Sequence, residues 1–360
     1  MKIYCVLVDS LPYSPRVLSY ADSRNIKCLR QFAHCYTKSS TISLMTGKLP
    51  SELEKNGIGW KSHSKYRTYP VNTELDKEVV EWPWANSLIT NRLLQNDWDI
   101  KIHNGNFFNQ IITNNPLYEK TTSYEGGNVA EMKETWASRR ANNFLFSDSE
   151  YYKNEEEYIK KIQSQKPEKN TFYYISLHQY HTALGGAANT STAENYIYQI
   201  LDYWDFEEED CLFYFFSDHG NYNNCGRYPS LDIFYTWAYY RDNTSNPITF
   251  PHDVISICDF YDLCLAKMNS TGIPEYSKDR IYFMEDARAN DNLFETTLFS
   301  ASRVSKWDQN RPIEVEYAMI YKPNRDVRVF TCNLEGGTLK PGVPEAFVGT
   351  LRQKYEEILQ

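Results

Sequence analysis

An α/β fold, a central sheet flanked by helices with a smaller C-terminal α+β subregion, is the class this sequence predicts. Three observations predict it. Short apolar runs such as IYCVLV (3–8), FYYISL (172–177) and CLFYFFS (211–217) alternate with longer stretches of helical character. The last hundred residues change to RIYFME, TTLFSAS, VEYAMIYK and VRVFTCN, which read as short antiparallel strands. Two of the apolar runs stop on acidic residues, VLVDS at Asp9 and FFSDHG at Asp218, where an α/β sheet collects its ligands.

Each element follows from its local pattern. IYCVLV is a buried first strand, and TISLMTG is a short helix stopped by Gly47. Residues 84–96 look helical and DIKIH returns as a strand. The Asn/Glu/Lys-rich segment 147–170 reads as an insertion or mobile loop whose charge run is a solvated face. FYYISL is the next strand, followed by a helix over 191–204 and the strand CLFYFFS. LDIFYTWAYY (231–240) reads as a strand, and DVISICDFYDLCLAKM (253–268) as an amphipathic helix. A closing helix over 344–359 carries Phe347, Leu351, Tyr355 and Leu359 at spacings of four. The division this suggests is a catalytic core over 1–285 and C-terminal strands with the closing helix over 286–360. No internal repeat is visible.

The 360 residues include 41% hydrophobic and 24% charged positions, a soluble globular composition. A net charge of -9 argues against non-specific nucleic-acid binding, which needs clustered Lys and Arg. No stretch approaches the roughly 18 to 20 consecutive apolar residues that span a bilayer. The N-terminus, MKIYCVLVDS, lacks a small-residue cleavage site and reads as a strand, so a cytoplasmic location is expected. The eight cysteines form no C-x-x-C pair, which disfavours a zinc-thiolate cluster. Reduced, mostly buried thiols are the simpler reading.

Three segments carry the chemistry. Asp9 ends the first strand. Thr37, in YTKSSTISLMTGKLPS, stands where a helix begins, so that backbone N–H groups and the positive helix end face an anion beside its hydroxyl. Asp218 and His219 end another strand. Converging, Asp9, Thr37, Asp218 and His219 make an oxygen-rich site with one imidazole, suited to a single Mn, Mg, Ca or Zn ion. Taken alone, Asp9 reads first as an N-cap for the next helix, and the Ser/Thr run as an N-cap cluster.

In order and spacing these residues resemble the sulfatase and alkaline-phosphatase superfamily. Counting back from Thr46–Gly47 puts Thr37 at the nucleophile position of the sulfatase signature. VLVDS and FFSDHG resemble its two metal-binding strand ends, and HDVISICDFYDLCLAKM is similar to one of its later helices. The resemblance implies an alkaline-phosphatase-like central mixed sheet. Two departures matter. Sulfatases need Cys or Ser, converted to formylglycine, where this chain has Thr37, and an Arg where it has Thr41. Threonine resembles instead the phosphotransferases of the superfamily, lipoteichoic acid synthases and phosphoethanolamine transferases among them. IHNGNFFNQ (102–110) looks like a segment of the former. Their membrane helices have no counterpart here.

What the resemblance implies is a metal-dependent phosphoesterase or phosphotransferase acting on a small-molecule or glycan phosphoester, with a cell-envelope precursor as one such substrate. Thr37 would attack phosphorus, His181 in SLHQYHTALGG would contact the non-bridging oxygens, and His103 would protonate the leaving group. Lys38, Asn106, His181 and Arg227 are the candidate substrate-binding residues, Arg227 having a plain surface role as its alternative. His252 is the only late candidate for a second metal, and one metal is preferred. A sulfuric-ester hydrolase and a catalytically inactive binding-only relative stay open beside this reading.

Overall fold

The N-terminal apolar run forms β1 (Lys2–Val8), with every residue buried. A strand covered on both faces needs an unbroken apolar run, and this one has it after Lys2. Lys2 itself is buried because its ammonium is fully engaged. It donates to the carbonyl oxygens of Ile162 and Gln163 at 2.6 and 3.0 Å and pairs with Glu208 at 2.7 Å. In this computed structural model the described residues are 1–55, 89–103, 149–177, 190–220, 231–290, 293–321, 325–334, 338–342 and 345–359.

The chain divides into two compact units, one of residues 1–28, 92–217 and 237–247, the other of 29–91, 218–236 and 248–360. In the first, β1 pairs in parallel with both β4 (Thr171–Leu177) and β5 (Cys211–Phe216). Strand β3 (Asp99–His103) adds in parallel to β4, and β5 pairs antiparallel with β6 (Tyr235–Asp242). With β2 (Lys27–Phe32) and β7 (Val254–Ser256), which pair in parallel, the seven strands run in the order β3-β4-β1-β5-β6-β2-β7. The sheet is therefore mixed, and helices flank it.

Helix α1 (Pro15–Ser23) follows β1. Its N-cap is Ser14, whose hydroxyl accepts the Val17 N–H, and Pro15 opens its first turn. Asp9 does not cap it. Val17 and Ala21 of α1, Ile159 and Ile162 of α5 (Ser149–Ser164), and Ile197 and Leu201 of α6 (Thr190–Leu201) pack with Tyr4, Val6, Tyr173 and Phe213 of the sheet. The loop expected over 147–170 is thus corrected: most of it is α5, held by a buried apolar stripe that its charged face conceals in composition.

In the second unit, α2 (Thr37–Thr46) ends at Gly47, whose φ of 68° is left-handed. A Cβ at Gly47 would meet the Tyr261 ring at 3.0 Å, a second reason for glycine there. A short helix, α3 (Pro50–Lys55), follows; α4 (Ile89–Gln95), the described part of the helix expected over 84–96, has residues in each unit. LDIFYTWAYY is only partly strand. Residues Leu231–Phe234 form a helical turn, α7, and the Gly220 N–H donates to Ile233 O at 2.8 Å. DVISICDFYDLCLAKM is likewise split. Val254 to Ser256 pair with β2 as β7, and α8 (Asp259–Asn269) starts where the Asp259 carboxylate accepts the Ser256 N–H at 2.8 Å. Tertiary pairing overrides the helical period here.

The C-terminal residues form a second, antiparallel sheet in the order β12-β11-β10-β9-β8. Its strands are β8 (Tyr282–Asn290), β9 (Leu293–Asp308), β10 (Arg311–Tyr321), β11 (Asp326–Asn333) and β12 (Thr338–Pro341). Closing helix α9 (Glu345–Leu359) buries Phe347, Leu351 and Tyr355 against Phe299, Ala318 and Ile320.

Candidate metal centre

Strand β1 runs into Asp9, whose N–H donates to Leu177 O at 2.9 Å. The next residue turns the chain sharply: Ser10 has a φ of 64°, a left-handed conformation unusual outside glycine and asparagine. The Ser10 hydroxyl donates to Asp9 Oδ1 at 2.7 Å and holds the carboxylate at the strand end. The β1–β5 register pairs Leu7 with Phe216, so the residues two positions further on, Asp9 and Asp218, leave neighbouring strands at the same level. Asp9, Asp218 and His219 are all buried, and each offers a ligand atom within 4.8 Å of the others.

The imidazole is oriented from behind. His219 Nδ1 lies 2.7 Å from Gly220 O, and a carbonyl can only accept, so the proton is on Nδ1 and the lone pair on Nε2. That lone pair stands 3.4 Å from Asp218 Oδ2. Two buried carboxylates and an imidazole lone pair turned together are all acceptors, an arrangement that a cation satisfies. The donor set fits one divalent ion, oxygen-rich with a single nitrogen, without selecting among Mn, Mg, Ca and Zn.

Thr37 is the first residue of α2, and its Oγ1 lies 3.3 Å from His219 Nε2. The N-cap residue, Tyr36, makes no side-chain cap, and the first turn carries no acidic residue. The helix it opens is unusual in being buried yet rich in hydroxyls, with Thr37, Ser39, Ser40, Thr41, Ser43 and Thr46 all buried. Thr37, Ser40 and Ser43 find partners outside the helix. Ser40 Oγ donates to Asp218 O at 2.6 Å and accepts the His34 N–H at 3.1 Å. The fully buried His34 ring accepts the Glu285 N–H on Nδ1 at 3.0 Å, which leaves Nε2–H to donate to Ser43 Oγ at 2.8 Å. Burial pushes the His34 pKa down to about 3, so the ring is a neutral strut. The Glu285 carboxylate accepts from both the N–H and hydroxyl of Ser51 at the start of α3.

Of the residues singled out in the sequence, Asp9, Asp218 and His219 are brought together, with Thr37 against His219. Lys38 is the second residue of α2. His103 ends β3, where its Nε2 is 3.0 Å from a buried Glu155 oxygen and its ring stacks on Tyr158 at 3.9 Å. His181, Asn106 and Arg227 lie outside the described residues. His252 is buried with its ring edge-on to Trp307, and among the described residues it joins no metal-ligand group. Ser10, His34, Ser40 and Glu285 were not anticipated. Ser40 sits inside the hydroxyl run that was noticed, whereas Glu285 is too distant in sequence for any local pattern to connect it.

No family model matches the chain, and no curated protein matches it. Solved structures do. A protein in the alkaline phosphatase superfamily from Vibrio parahaemolyticus superposes with a TM-score of 0.53 at 12% identity, covering 96% of this chain and 83% of its own. The chain shares the fold of that protein. Other structures matched at lower similarity include the lipoteichoic acid synthase LtaP from Listeria monocytogenes, at 11% identity and a TM-score of 0.43 over 100% of this chain and 90% of that one. The C-terminal periplasmic domain of EcEptC from Escherichia coli matches at 11% and 0.38 over 77% and 84%. The EcEptC domain is periplasmic, so the similarity gives no support to the cytoplasmic location expected above. Among the described residues, no helix is long and apolar enough to cross a membrane.

Proposed function

We propose that this chain is a metal-dependent phosphoesterase or phosphotransferase in which Thr37 is the covalent nucleophile. The observation that carries the reading is the 3.3 Å approach of Thr37 Oγ1, at the first position of a buried helix, to the lone-pair nitrogen of His219. A superfamily fold and a two-carboxylate, one-imidazole donor set support metal-dependent ester chemistry in general. Threonine rather than Cys or Ser favours phosphoryl over sulfuryl transfer, because formylglycine is not made from threonine.

Asp9, Asp218 and His219 would hold the ion, with Thr37 beside them. A bound divalent ion there supplies Lewis acidity, which favours the threonine alkoxide and offsets charge on a phosphoryl oxygen. The N–H groups of the first turn of α2, with no acidic side chain among them, suit a second phosphoryl oxygen. The Thr37 hydroxyl gives its proton to solvent. Thr37 Oγ forms a bond to phosphorus as the bond to the leaving oxygen breaks, and the leaving alkoxide takes a proton to depart as the alcohol. We assign that proton to His103, with Glu155 orienting its ring. Water or an acceptor hydroxyl then attacks the phosphothreonine ester and regenerates Thr37. Lys38, Asn106, His181 and Arg227 are proposed to bind the substrate anion. Its alcohol is proposed to be a small molecule or glycan, in keeping with the matched lipoteichoic acid synthase.

The test is hydrolysis of nitrophenyl phosphate, phosphodiester, phosphonate and sulfate esters by wild type and Thr37→Ala, with Mn, Mg, Ca, Zn or chelator. Metal-dependent turnover of a phosphorus ester that falls by more than about 10³-fold in the variant is the expected result. Sulfate-ester turnover that survives the substitution would overturn the reading.

A further inference from the structure

Helix α2 carries two hydroxyls that treat their own backbone differently. Thr46 bonds back to Ile42 O at 2.8 Å, the usual resort of a hydroxyl in a helix interior. Ser40 does not. The carbonyl four residues before it, Tyr36 O, takes the Ser40 N–H at 2.9 Å, and the hydroxyl reaches out of the helix to Asp218 O at 2.6 Å. A hydroxyl has one proton. The other nearby carbonyl, His34 O, is 3.4 Å away, so the proton goes to Asp218, while the hydroxyl oxygen accepts the His34 N–H at 3.1 Å. The group is fully buried, and such a bond has no water competing for it.

We infer that Ser40 is a positioning residue for the metal centre, clamping the first turn of the Thr37 helix to the main chain of the ligand Asp218. This rests on the metal-centre reading above. Ser40 is three residues beyond Thr37, so it lies on an adjacent face one turn along. Its bond fixes the Asp218 peptide, and with it the direction in which the Asp218 carboxylate leaves the backbone. The same bond sets how far Thr37 stands from His219. One hydroxyl therefore couples ligand geometry to the placement of the proposed nucleophile. Ser43, one turn on, is the matched contrast: it is equally buried and bonded, but to His34 Nε2 and not to a ligand residue.

The experiment is Mn²⁺ titration of the full chain by electron paramagnetic resonance, with no substrate present, alongside the thermal midpoint of the metal-free protein. Wild type, Ser40→Ala, Ser40→Cys, Ser43→Ala and Asp218→Asn are compared. Outer partners of metal ligands typically contribute about 10–100-fold in affinity, so both Ser40 variants should raise the Mn²⁺ dissociation constant by that factor. Ser43→Ala should lower the metal-free midpoint as much as Ser40→Ala while leaving Mn²⁺ affinity within about threefold of wild type, below the range for an outer partner. Should Ser40→Ala fail to fold, Ser40→Cys, which keeps the volume and weakens the donor, carries the comparison. Unchanged affinity in the Ser40 variants, or an equal loss in Ser43→Ala, overturns the positioning role alone. Wild type that binds no Mn²⁺, or binds it equally well as Asp218→Asn, overturns the metal centre itself.

Discussion

His219 and Gly220 are joined through a 2.7 Å hydrogen bond from the imidazole Nδ1 to the following carbonyl oxygen, and this fixes which ring nitrogen faces Thr37. The tautomer is thus decided by adjacent residues of one strand end, before any ligand arrives. A site whose acceptors are turned together in advance favours a cation, and that has measurable signs.

In chelator, Asp218→Asn should raise the thermal midpoint above wild type, because one of two crowded buried carboxylates is gone. In saturating Mn²⁺ the order should reverse. An ion at about 100 times its dissociation constant stabilises wild type by about 2.7 kcal/mol, and the variant should forgo most of this. Differential scanning calorimetry in both buffers checks the crossing; parallel shifts in the two would count against a cation site.

Gly220→Ala should be among the most damaging single substitutions. A Cβ at Gly220 would lie 2.0 Å from the backbone oxygen of Asp232, and backbone cannot swing aside as a side chain can. A cost of about 3 kcal/mol or more is expected, at the upper end for overpacking. Urea denaturation measures it.

Thr41→Val should be neutral or stabilising. Thr41 Oγ1 is buried and has no hydrogen-bond partner among the described residues. Replacing the hydroxyl by a methyl of similar size relieves a desolvated polar atom, which typically costs about 1–3 kcal/mol. A loss of stability in the same denaturation series would show that the hydroxyl has a partner when the protein is in solution.

His34 makes stability depend on pH in a definite direction. The ring is neutral in the fold, with its pKa lowered from 6.5 to about 3. Between those values the unfolded chain binds a proton that the folded chain does not. Stability is therefore full above about pH 6.5 and declines as pH falls, by up to about 1.4 kcal/mol per unit from this group. His34→Gln should reduce the slope of stability against pH by about one proton between pH 4 and 6. An unchanged slope would show that other groups account for acid lability.

Strand-borne ligands were legible because a buried strand advertises itself: CLFYFF followed by Ser217, Asp218 and His219 is a change of chemistry that no solvated loop requires. Thr37 was legible for a similar reason, at the junction of a turn and a glycine-stopped helix. The 253–268 segment was misread because Val254, Ile255 and Ile257 fit a helical stripe and a buried strand equally well. Only pairing with β2 decides between them. Helix α5 was hidden by Lys and Glu on its exposed face, although Ile159 and Ile162 form the stripe that anchors it. The supports of the site were illegible for a different reason. Ser40 and Glu285 act through a main-chain carbonyl and a main-chain N–H, and backbone groups leave no trace in side-chain pattern.

Helix α2 has the sequence TKSSTISLMT, which lacks alanine and carries six hydroxyl side chains, poor material for a helix on its own. Asp218 and His34 hold it from outside, with Glu285 behind His34. Gradual heating should then abolish the ester chemistry proposed above before the protein melts: Thr37 loses its placement once those supports loosen, while the sheets still give a native circular dichroism spectrum. The temperature of half-inactivation is a gauge of this one helix, not of the protein.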